Sequence, residues 1–455
     1  MQRAGYHAKR LRDVAEALGR ARALTERERW PRERLERFQQ ERLEVLVRHA
    51  RERSPFWAER LPRSRVRLEE LPTLRKQEMM DRFDDLVTDR RLRRDELLRH
   101  LDAIGRDELY QGEHRVMATS GSTGSKGLFV YDRRAWVDVL SQFLRYTDWA
   151  GTKPRLPRLR IAAIGGASPT HMTQRIAASV DVGLHRLLAL PATLPLPRLV
   201  EKLNAFAPTN MNAYPSIASL LGEEQLAGRL RLELRGMSTS SEPLMPEVRR
   251  RIESAFGVAP FNLYGTTEGL WACECSERAG LHLFEDMCIV ENVDADGRRV
   301  PDGEPGSRLL VTNLFNRVQP LIRVEISDMA TVEPRPCPCG RTLRRLRSLD
   351  GRSADVIRIG RVAIHPMQFA PLTSDPDVRE FQVVQQGERL RLRVALRAGS
   401  NGATVRLRTV LTERLRAAGL AEPAIDVEVV EQLERSAAGK LALVVADRGR
   451  RGPIE

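Results

Sequence analysis

The stretch MATSGSTGSKGLFVYD, residues 117–132, crowds serine, threonine and glycine together and ends in a mostly apolar run. Glycine lets backbone N–H groups converge on an anion, and the serine and threonine hydroxyls add further donors. The run LFVYD is typical of a β-strand and would anchor one end of the loop. A flexible linker has a similar composition. The loop is not the P-loop of nucleotide triphosphatases, because the required Gly-Lys-Ser/Thr ending is missing. Composition alone therefore leaves two interpretations, a flexible linker and a phosphate-binding loop that contains one lysine, Lys126.

The chain of 455 residues is long enough for two or three domains with a large core. Hydrophobic residues make up 42% of the chain, which is typical of globular rather than disordered proteins. No apolar run approaches the roughly 20 residues of a membrane helix. The first twenty residues are charged and lack the apolar core of a signal peptide. These features predict a cytoplasmic protein with no membrane partner.

The formal net charge of +14 does not by itself indicate nucleic-acid binding, since the basic residues are dispersed. Across residues 24–54, arginines alternate with glutamates at helical spacings, as on a solvated, ion-paired helix face. No nucleic-acid recognition motif accompanies the charge, and an anionic small molecule fits it equally well. We therefore expect no specific nucleic-acid partner.

Lysine is rare, since only six lysines occur among the 75 basic residues. Where most positive charges have been free to become arginine, a retained lysine indicates a need for a compact ammonium on a flexible stem. Two of the six, Lys126 and Lys440, fall inside the motifs described below. The others are Lys9, Lys76, Lys153 and Lys202.

The residue pattern predicts an α/β fold with a large N-terminal domain, residues 1–350, and a small C-terminal α+β domain, residues 351–455. Helical patterns fill residues 1–100 and are broken by prolines. From residue 158 onward, short apolar runs alternate with helical patterns, which indicates a substantial parallel sheet. Residues 280–345 are β-rich and contain two Asp-Gly turn signals.

The last unit follows the order strand, helix, strand. The pattern predicts a strand over residues 381–396, a helix over residues 403–419 and a strand over residues 424–433. This order predicts the small α+β domain.

The loop of residues 117–132 resembles, nearly letter for letter, the phosphate loop of the adenylate-forming superfamily. That superfamily includes acyl-CoA synthetases, luciferases and peptide-synthetase adenylation domains. Five further stretches resemble its motifs in the same order: STSSEPL (238–244), NLYGTTEG (262–269), LIRVEISDMA (321–330), LDGRSADVIRIGRVAIHPMQFA (349–370) and RSAAGKLALVV (435–445). Their order indicates the superfamily more strongly than any one motif.

The resemblance implies how these motifs bind ATP. The phosphate loop would close over the β- and γ-phosphates through Ser120, Gly121, Ser122, Thr123, Gly124 and Lys126. The residues implied to bind the rest of the nucleotide are Ser241, Glu242, Pro243, Tyr264, Gly265, Thr266, Asp328 and Arg352. Within this set, residues 241–243 and Tyr264 would face the adenine, while Asp328 and Arg352 would bind the ribose hydroxyls.

Three residues are implied to take part in the chemistry. Thr267 would meet the α-phosphate, and Glu268 would hold Mg²⁺, since magnesium prefers carboxylate and phosphate oxygens. Lys440 would be the catalytic lysine. It would bridge the carboxylate and phosphate oxygens in a first step, after which the C-terminal domain rotates for a second step.

Over essentially the whole chain, the sequence resembles the phenylacetate–CoA ligase branch. Residues 41–61 are similar to its opening helix, and residues 212–221 to its substrate-side segment. The resemblance implies an AMP-forming acid–thiol ligase that turns a small-molecule carboxylic acid into an acyl-adenylate and then an acyl-CoA thioester. A phenylacetate-like aryl acid is favoured, and a homodimer is common in this branch. The candidate acyl-pocket residues are Tyr214, Pro215, Ser238 and Trp271.

Four of the five cysteines form two Cys-x-Cys pairs, in CEC (273–275) and CPCG (337–340). A disulfide framework is not expected in a large cytoplasmic chain. Many members of the branch carry a cysteine, a histidine after six intervening residues, and a later Cys-x-Cys. The resemblance therefore implies a structural Zn²⁺ held by Cys275, His282, Cys337 and Cys339. Cys273 competes for one ligand place.

Two departures leave the acceptor of the acyl group open. RVEISD (323–328) replaces a positive, aromatic pattern and sets Glu325 beside the expected nucleotide site. Ala354 stands where the hinge normally has an aspartate. The alternatives are a ligase with a non-CoA acceptor, such as an amine, a carrier-protein thiol or another acceptor of AMP, and a non-catalytic nucleotide-binding relative.

Overall fold

The computed structural model describes residues 2–63, 66–105, 107–119, 127–153, 156–166, 168–397, 399–400 and 402–447. Its helices are α1 (Gln2–Arg27), α2 (Arg32–Arg53), α3 (Pro55–Arg60), α4 (Lys76–Asp81), α5 (Phe83–Leu86), α6 (Arg94–Ala103), α7 (Arg133–Trp149), α8 (Met172–Val180), α9 (Leu196–Phe206), α10 (Pro215–Leu226), α11 (Pro246–Phe256) and α12 (Ala403–Ala417).

Its strands are β1 (Arg115–Ala118), β2 (Leu128–Tyr131), β3 (Arg160–Gly165), β4 (Arg186–Pro191), β5 (Asn210–Ala213), β6 (Gly236–Ser240), β7 (Phe261–Gly265), β8 (Trp271–Cys273), β9 (Leu281–Leu283), β10 (Cys288–Val293), β11 (Arg308–Asn313), β12 (Val324–Ile326), β13 (Asp328–Glu333), β14 (Arg345–Arg352), β15 (Ile357–Ile359), β16 (Val362–Ile364), β17 (Val378–Gln386), β18 (Arg389–Leu396), β19 (Ala424–Val429) and β20 (Val444–Val445).

Local sequence sets many of the helix starts. Proline is the first residue of α3, α10 and α11, a position where its missing N–H costs no hydrogen bond. Two starts are also capped by side chains, since Ser54 accepts a hydrogen bond from Trp57 N at 3.3 Å and Asp132 accepts one from Ala135 N at 2.8 Å. The proline breaks predicted for residues 1–100 thus coincide with helix boundaries at Pro31 and Pro55.

Nine of the described strands form the main sheet, in the order β13-β14-β9-β8-β7-β6-β5-β3-β4. From β4 to β7 neighbouring strands are parallel, and from β7 to β13 they are antiparallel. Helices α8, α9, α10 and α11 connect the parallel strands in turn. The carboxyl ends of these strands therefore lie at one edge of the sheet, which is where parallel α/β sheets bind their ligands.

The N-terminal helices pack around one hydrophobic core together with β1, β2 and α7. Phe56 and Trp57 are fully buried in it, and Trp57 Nε1 donates a hydrogen bond to Pro320 O at 3.0 Å. A second core lies between the parallel strands and helices α9 to α11. Among the described residues, no helix is long and apolar enough to span a bilayer.

The C-terminal residues have a core of their own, built from residues 357–446. Four described strands form its sheet in the order β19-β18-β17-β20, with α12 packed against it. The prediction of one strand over residues 381–396 was wrong, because the chain reverses at Gly387 and forms the hairpin β17–β18. Gly387 has a φ of 62°, in the left-handed region that glycine adopts without strain.

Candidate active site

The predicted motifs follow neighbouring strands of the main sheet. Tyr214 comes directly after β5, Ser241 after β6 and Thr266 after β7. Because β5, β6 and β7 are parallel, these residues meet at the same edge although they lie far apart in sequence. The sheet thus brings the substrate-side, adenine-side and magnesium motifs together.

Tyr264, Asp328 and Arg352 form one hydrogen-bonded group. Asp328 begins β13, Arg352 ends β14, and the two face each other in the antiparallel register. The Tyr264 hydroxyl donates to Asp328 Oδ2 at 2.5 Å, and Arg352 Nε donates to Oδ1 at 3.1 Å. Burial and the Asp328 carboxylate raise the pKa of Tyr264, so its hydroxyl remains a donor. The Asp328 carboxylate is therefore held in one orientation and can accept further hydrogen bonds from hydroxyl groups.

Glu268 is half-buried in the turn between β7 and β8. Its backbone carbonyl accepts a hydrogen bond from Asn313 Nδ2 at 2.9 Å, and the carbonyl of Thr267 accepts one from the Tyr131 hydroxyl at 2.7 Å. Burial raises the pKa of the Glu268 carboxyl, and the charge of Lys76 opposes that shift. The fixed turn presents one hard oxygen ligand, which fits Mg²⁺ bound by a carboxylate together with substrate phosphates.

Lys76, the first residue of α4, enters this site and was not predicted as a site residue. Its ammonium donates to Thr119 Oγ1 at 3.0 Å. Burial lowers the pKa of Lys76, and the Glu268 carboxylate opposes that shift. Lys76 thus lies between Glu268 and the start of the phosphate loop. The scarcity of lysine was the one sequence signal that pointed to it.

The predicted phosphate-loop residues, Ser120, Gly121, Ser122, Thr123, Gly124 and Lys126, lie outside the described residues. The two ends of the loop are described and are joined to each other. Thr119 N donates to Gly127 O at 2.9 Å, and Gly127 N donates to Thr119 Oγ1 at 3.0 Å. A Cβ atom on Gly127 would lie 2.7 Å from Lys76 Cε, so any other residue there would displace the Lys76 side chain. The loop therefore starts and ends against Lys76.

Lys440 lies at the end of a tight turn of the C-terminal unit. Ser436 N donates to Lys440 O at 2.9 Å, and Lys440 N donates to Ser436 Oγ at 3.1 Å. Gly439 has a φ of 78°, and a Cβ atom there would lie 2.6 Å from Ala192 Cβ. Only glycine therefore lets the turn pack on the large N-terminal unit, which contains the main sheet. The Lys440 ammonium is 5.9 Å from the ring centroid of Tyr214. Burial and the charge of Arg352 both lower the pKa of Lys440. The turn thus brings Lys440 to the nucleotide motifs.

The candidate acyl-pocket residues separate into two groups. Tyr214 is nearly buried beside Lys440, and its hydroxyl accepts a hydrogen bond from Gly166 N at 2.8 Å. Pro215 starts α10 next to it. Ser238 and Trp271 are also buried, and Trp271 is part of the hydrophobic core that contains the N-terminal helices. Tyr214 is therefore the candidate closest to the expected chemistry.

Residues 241–243 cross the edge of the sheet in a strained turn, since Ser241 has a φ of 71°. The Glu242 carboxylate accepts hydrogen bonds from Ser216 N at 3.1 Å and from Leu441 N at 2.7 Å. Pro243 lines a small cavity between the two units. The Glu242 side chain thus binds the segment that carries Lys440. The sequence predicted only that residues 241–243 face the adenine.

The segment of residues 323–328, which contains β12 and departs from the superfamily pattern, binds the residues that lead to Lys76. Leu74 N donates to Arg323 O at 3.0 Å, and Glu325 N donates to Leu74 O at 3.0 Å. The Glu325 carboxylate accepts a hydrogen bond from Thr73 Oγ1 at 3.0 Å. The departure from the superfamily pattern at Glu325 is therefore part of the contact that positions α4.

The hinge contacts this same region. Ala354 lies in a short helical turn, and the adjacent Ser353 N donates to Ser327 O at 2.7 Å. The alanine thus lies close in sequence and space to the Asp328–Arg352 pair.

Cys275, His282, Cys337 and Cys339 form a cluster whose ligand atoms all lie within 4.8 Å of one another. Cys275 Sγ is 3.6 Å from Cys337 Sγ, and Cys339 Sγ is 3.5 Å from His282 Nε2. With Zn–S near 2.3 Å and Zn–N near 2.05 Å, tetrahedral geometry gives separations of about 3.8 and 3.6 Å, so the donor set fits zinc.

The surroundings orient these ligands. The other ring nitrogen of His282, Nδ1, is 2.9 Å from Leu343 O, which leaves Nε2 facing the cluster. Gly340 allows the tight turn after CPC with a φ of 76°. Cys273, the predicted competitor, is buried in the hydrophobic core instead of joining the described cluster.

Residues 33–312 match the model of the AMP-binding enzyme family, and this match covers more than half of the chain. The chain therefore belongs to the AMP-binding enzyme family, and the predicted adenylate-forming superfamily is confirmed. This chain is 29% identical over 392 residues to the phenylacetate-coenzyme A ligase of Thermus thermophilus, and the match covers 80% of this chain and 81% of that one. The likeness to this relative confirms the predicted branch.

Solved structures confirm the predicted α/β fold class. The chain superposes on a 2-hydroxyisobutyryl-CoA ligase in the postadenylation state, in complex with R3-HIB-AMP, with a TM-score of 0.73 at 23% identity, covering 93% of this chain and 92% of that one. With the same ligase in the thioesterification state, in complex with 2-HIB-AMP and CoA, the TM-score is 0.58 at 24% identity, covering 92% and 91%. At these identities the likeness concerns the fold.

Proposed function

We propose that the protein is an ATP-dependent ligase that converts a carboxylic acid into an acyl-adenylate and pyrophosphate, and then transfers the acyl group to the thiol of coenzyme A. The observation that carries this proposal is that Lys440, beside Tyr214, interacts electrostatically with the hydrogen-bonded Asp328–Arg352 pair at the sheet edge where β7 ends and the turn with Glu268 begins. The family membership and the relative named phenylacetate-coenzyme A ligase support it.

In the first step, a carboxylate oxygen attacks the α-phosphorus of ATP. A P–O bond to the acid forms, and the bond from the α-phosphorus to the pyrophosphate oxygen breaks. Asp328 holds the ribose hydroxyls, with Tyr264 and Arg352 orienting its carboxylate. Lys76 places positive charge beside the phosphates, where charge moves during the step. Lys126 is the second cation that the sequence predicts for this role, and it lies outside the described residues. Mg²⁺ held by Glu268 would neutralise phosphate oxygens when bound.

Lys440 provides positive charge between the acid and the α-phosphate. Its position beside Tyr214, in the predicted substrate-side segment, and its electrostatic interactions with Arg352 and Asp328 support this role. A preorganised cation at this point stabilises the oxygens that gain charge in the transition state.

In the second step, the coenzyme A thiolate attacks the acyl carbon, the new C–S bond forms, and AMP leaves. We propose that the C-terminal unit, residues 351–455, first turns about the hinge near Ala354 and withdraws Lys440. The larger TM-score with the postadenylation state supports the view that the present arrangement serves the first step. A phenylacetate-like aryl acid is the proposed substrate, and Tyr214, Pro215 and Ser238 are its proposed pocket residues.

The test is ATP–pyrophosphate exchange by the purified protein with Mg²⁺ and a panel of aryl and alkyl carboxylic acids, without coenzyme A. We expect exchange that depends on the acid and is strongest with aryl acids. A reaction without added acid is the control. If no acid supports exchange while ATP still binds, the proposed adenylation is wrong.

The same panel tests the acceptor. Adding coenzyme A to the best acid should release AMP and produce a thioester detectable by mass spectrometry. If AMP is released only with an amine or a carrier protein, the adenylation proposal stands and the coenzyme A step is replaced by the non-CoA alternative.

We also propose that Cys275, His282, Cys337 and Cys339 hold a structural Zn²⁺, because four protein ligands leave no open position for a reacting group. The ion would join the turn after β8 to the loop between β13 and β14. That loop also contacts the N-terminal helices, since Thr342 N donates to Glu28 O at 2.9 Å. With His282 in β9 as a ligand, zinc would thus link the turn after β8, strand β9 and the loop between β13 and β14.

Metal analysis of the purified protein should find one zinc ion per chain. Cys339→Ser should lose the zinc and lower Tm by several degrees, because metal binding contributes directly to folding free energy. Cys273→Ser is the matched control, since it alters a buried cysteine outside the cluster and should keep the zinc. Retention of zinc by Cys339→Ser together with its loss from Cys273→Ser would assign the fourth ligand place to Cys273.

A further inference from the structure

The turn that carries Lys440 is held on one side by the first turn of α10 and on the other by Glu242, which follows β6. On one side, Arg435 Nη1 donates to Ser216 Oγ at 2.7 Å and to Gly439 O at 3.3 Å. On the other side, Leu441 N donates to the Glu242 carboxylate at 2.7 Å. The residues directly before and after the lysine turn are therefore both held by the large unit.

Glu242 connects these two contacts. Its second oxygen accepts a hydrogen bond from Ser216 N at 3.1 Å, so one carboxylate joins the start of α10 to the residue that follows Lys440. Ser216 lies in the first turn of a helix of 12 residues, where the helix dipole favours a negative charge. Arg435 also forms an ion pair with Glu380 at the same interface.

Fixing the backbone on both sides matters because a lysine side chain is long and flexible. A charge stabilises a transition state only where it is already in place, and a displacement of about 1 Å can cost a hundredfold in rate. A restraint from outside the C-terminal unit is needed to keep the lysine turn in place. The contacts made by Glu242 and Ser216 supply that restraint.

We propose that Glu242 is a positioning residue for Lys440 in the adenylation step, acting through the N–H of Leu441 and together with Ser216 and Arg435. This inference rests on the proposed function. When the C-terminal unit withdraws Lys440 for the second step, the Leu441 contact breaks. Loss of the Glu242 carboxylate therefore impairs the first step and leaves the second intact.

A second ion pair at the same interface offers a matched control. Glu223, near the other end of α10, binds Arg379 Nε at 2.8 Å and Arg397 Nη2 at 2.9 Å. It lies seven residues, or about 10 Å along the helix, from Ser216. Glu223→Gln thus weakens the contact between the two units without touching the lysine turn.

The experiment compares wild type, Glu242→Ala, Glu242→Gln and Glu223→Gln in the two half-reactions. The first is ATP–pyrophosphate exchange with phenylacetate, or with the best acid of the panel. The second is thioester formation from the matching synthetic acyl-adenylate and coenzyme A. We expect Glu242→Ala to lower kcat for exchange by about tenfold or more, with little change in KM for ATP and in thioester formation. Glu242→Gln, which keeps one acceptor oxygen, should show a smaller loss in the same direction.

Glu223→Gln should leave both half-reactions nearly unchanged. Equal losses in both half-reactions for the Glu242 variants, or the same loss of exchange in Glu223→Gln, would overturn the positioning role. If the wild type is active and both Glu242 variants behave like it, the positioning role is also overturned, while the proposed function stands. A wild type inactive with every acid would overturn the proposed function itself.

Discussion

Replacing Lys440 with alanine is expected to slow adenylation by about 10²–10³-fold and to change thioester formation from a supplied acyl-adenylate very little. The ammonium lies 5.9 Å from the Tyr214 ring and interacts electrostatically with Arg352 and Asp328, so it faces both the acid side and the nucleotide side of the site. The ammonium stabilises charge that develops in the transition state. Its removal therefore lowers kcat more than it raises KM.

The measurement is the same pair of half-reactions, with Lys202→Ala as the control. Lys202 is an exposed lysine of α9, so its replacement removes an equal charge away from the site. If Lys440→Ala reduces both half-reactions equally, the lysine does not act in the first step alone, and the proposed withdrawal of the C-terminal unit loses its support. The Lys440→Arg variant should remain impaired, since a planar guanidinium does not reproduce a compact ammonium.

The order of short motifs was enough to predict the family and fold class. The motifs after β5, β6 and β7 come together because parallel strands have their carboxyl ends at one edge of the sheet. Asp328 and Arg352 show the same principle in the antiparallel half, where the register of β13 and β14 pairs them. What the residue pattern could not show is where side chains point at irregular positions. Ser241 adopts a left-handed conformation, and Glu242 consequently faces Leu441.

Long-range contacts were the second kind of information missing from the pattern. The hydrophobic alternation is similar on both sides of Gly387, so the pattern alone merged β17 and β18 into one strand. Arg323 looked like part of an altered ribose strand, yet its guanidinium binds Glu291 and the carbonyl of Leu71. Only the folded chain shows that this strand supports the segment before Lys76.

Replacing Lys76 with alanine is expected to lower adenylation by about 10²-fold. The ammonium donates to Thr119 Oγ1 at 3.0 Å, where the phosphate loop begins, and it is attracted by the Glu268 carboxylate. With ATP bound, this position places a positive charge beside both the phosphates and the proposed magnesium ligand. Its removal should therefore raise KM for ATP as well as lower kcat, which distinguishes Lys76 from Glu242.

Lys76→Arg provides the sharper comparison, because it keeps the charge and changes only its shape. The stem of Lys76 passes so close to Gly127 that a Cβ atom there would lie 2.7 Å from Lys76 Cε. We expect a larger, planar guanidinium at position 76 to disturb the end of the phosphate loop and to lose the position of the ammonium. Exchange assays should find Lys76→Arg nearly as impaired as Lys76→Ala, and full activity of Lys76→Arg would mean that charge alone suffices. Only six of the 75 basic residues of this chain are lysines. Impairment of the arginine variant would explain why lysine is retained at position 76.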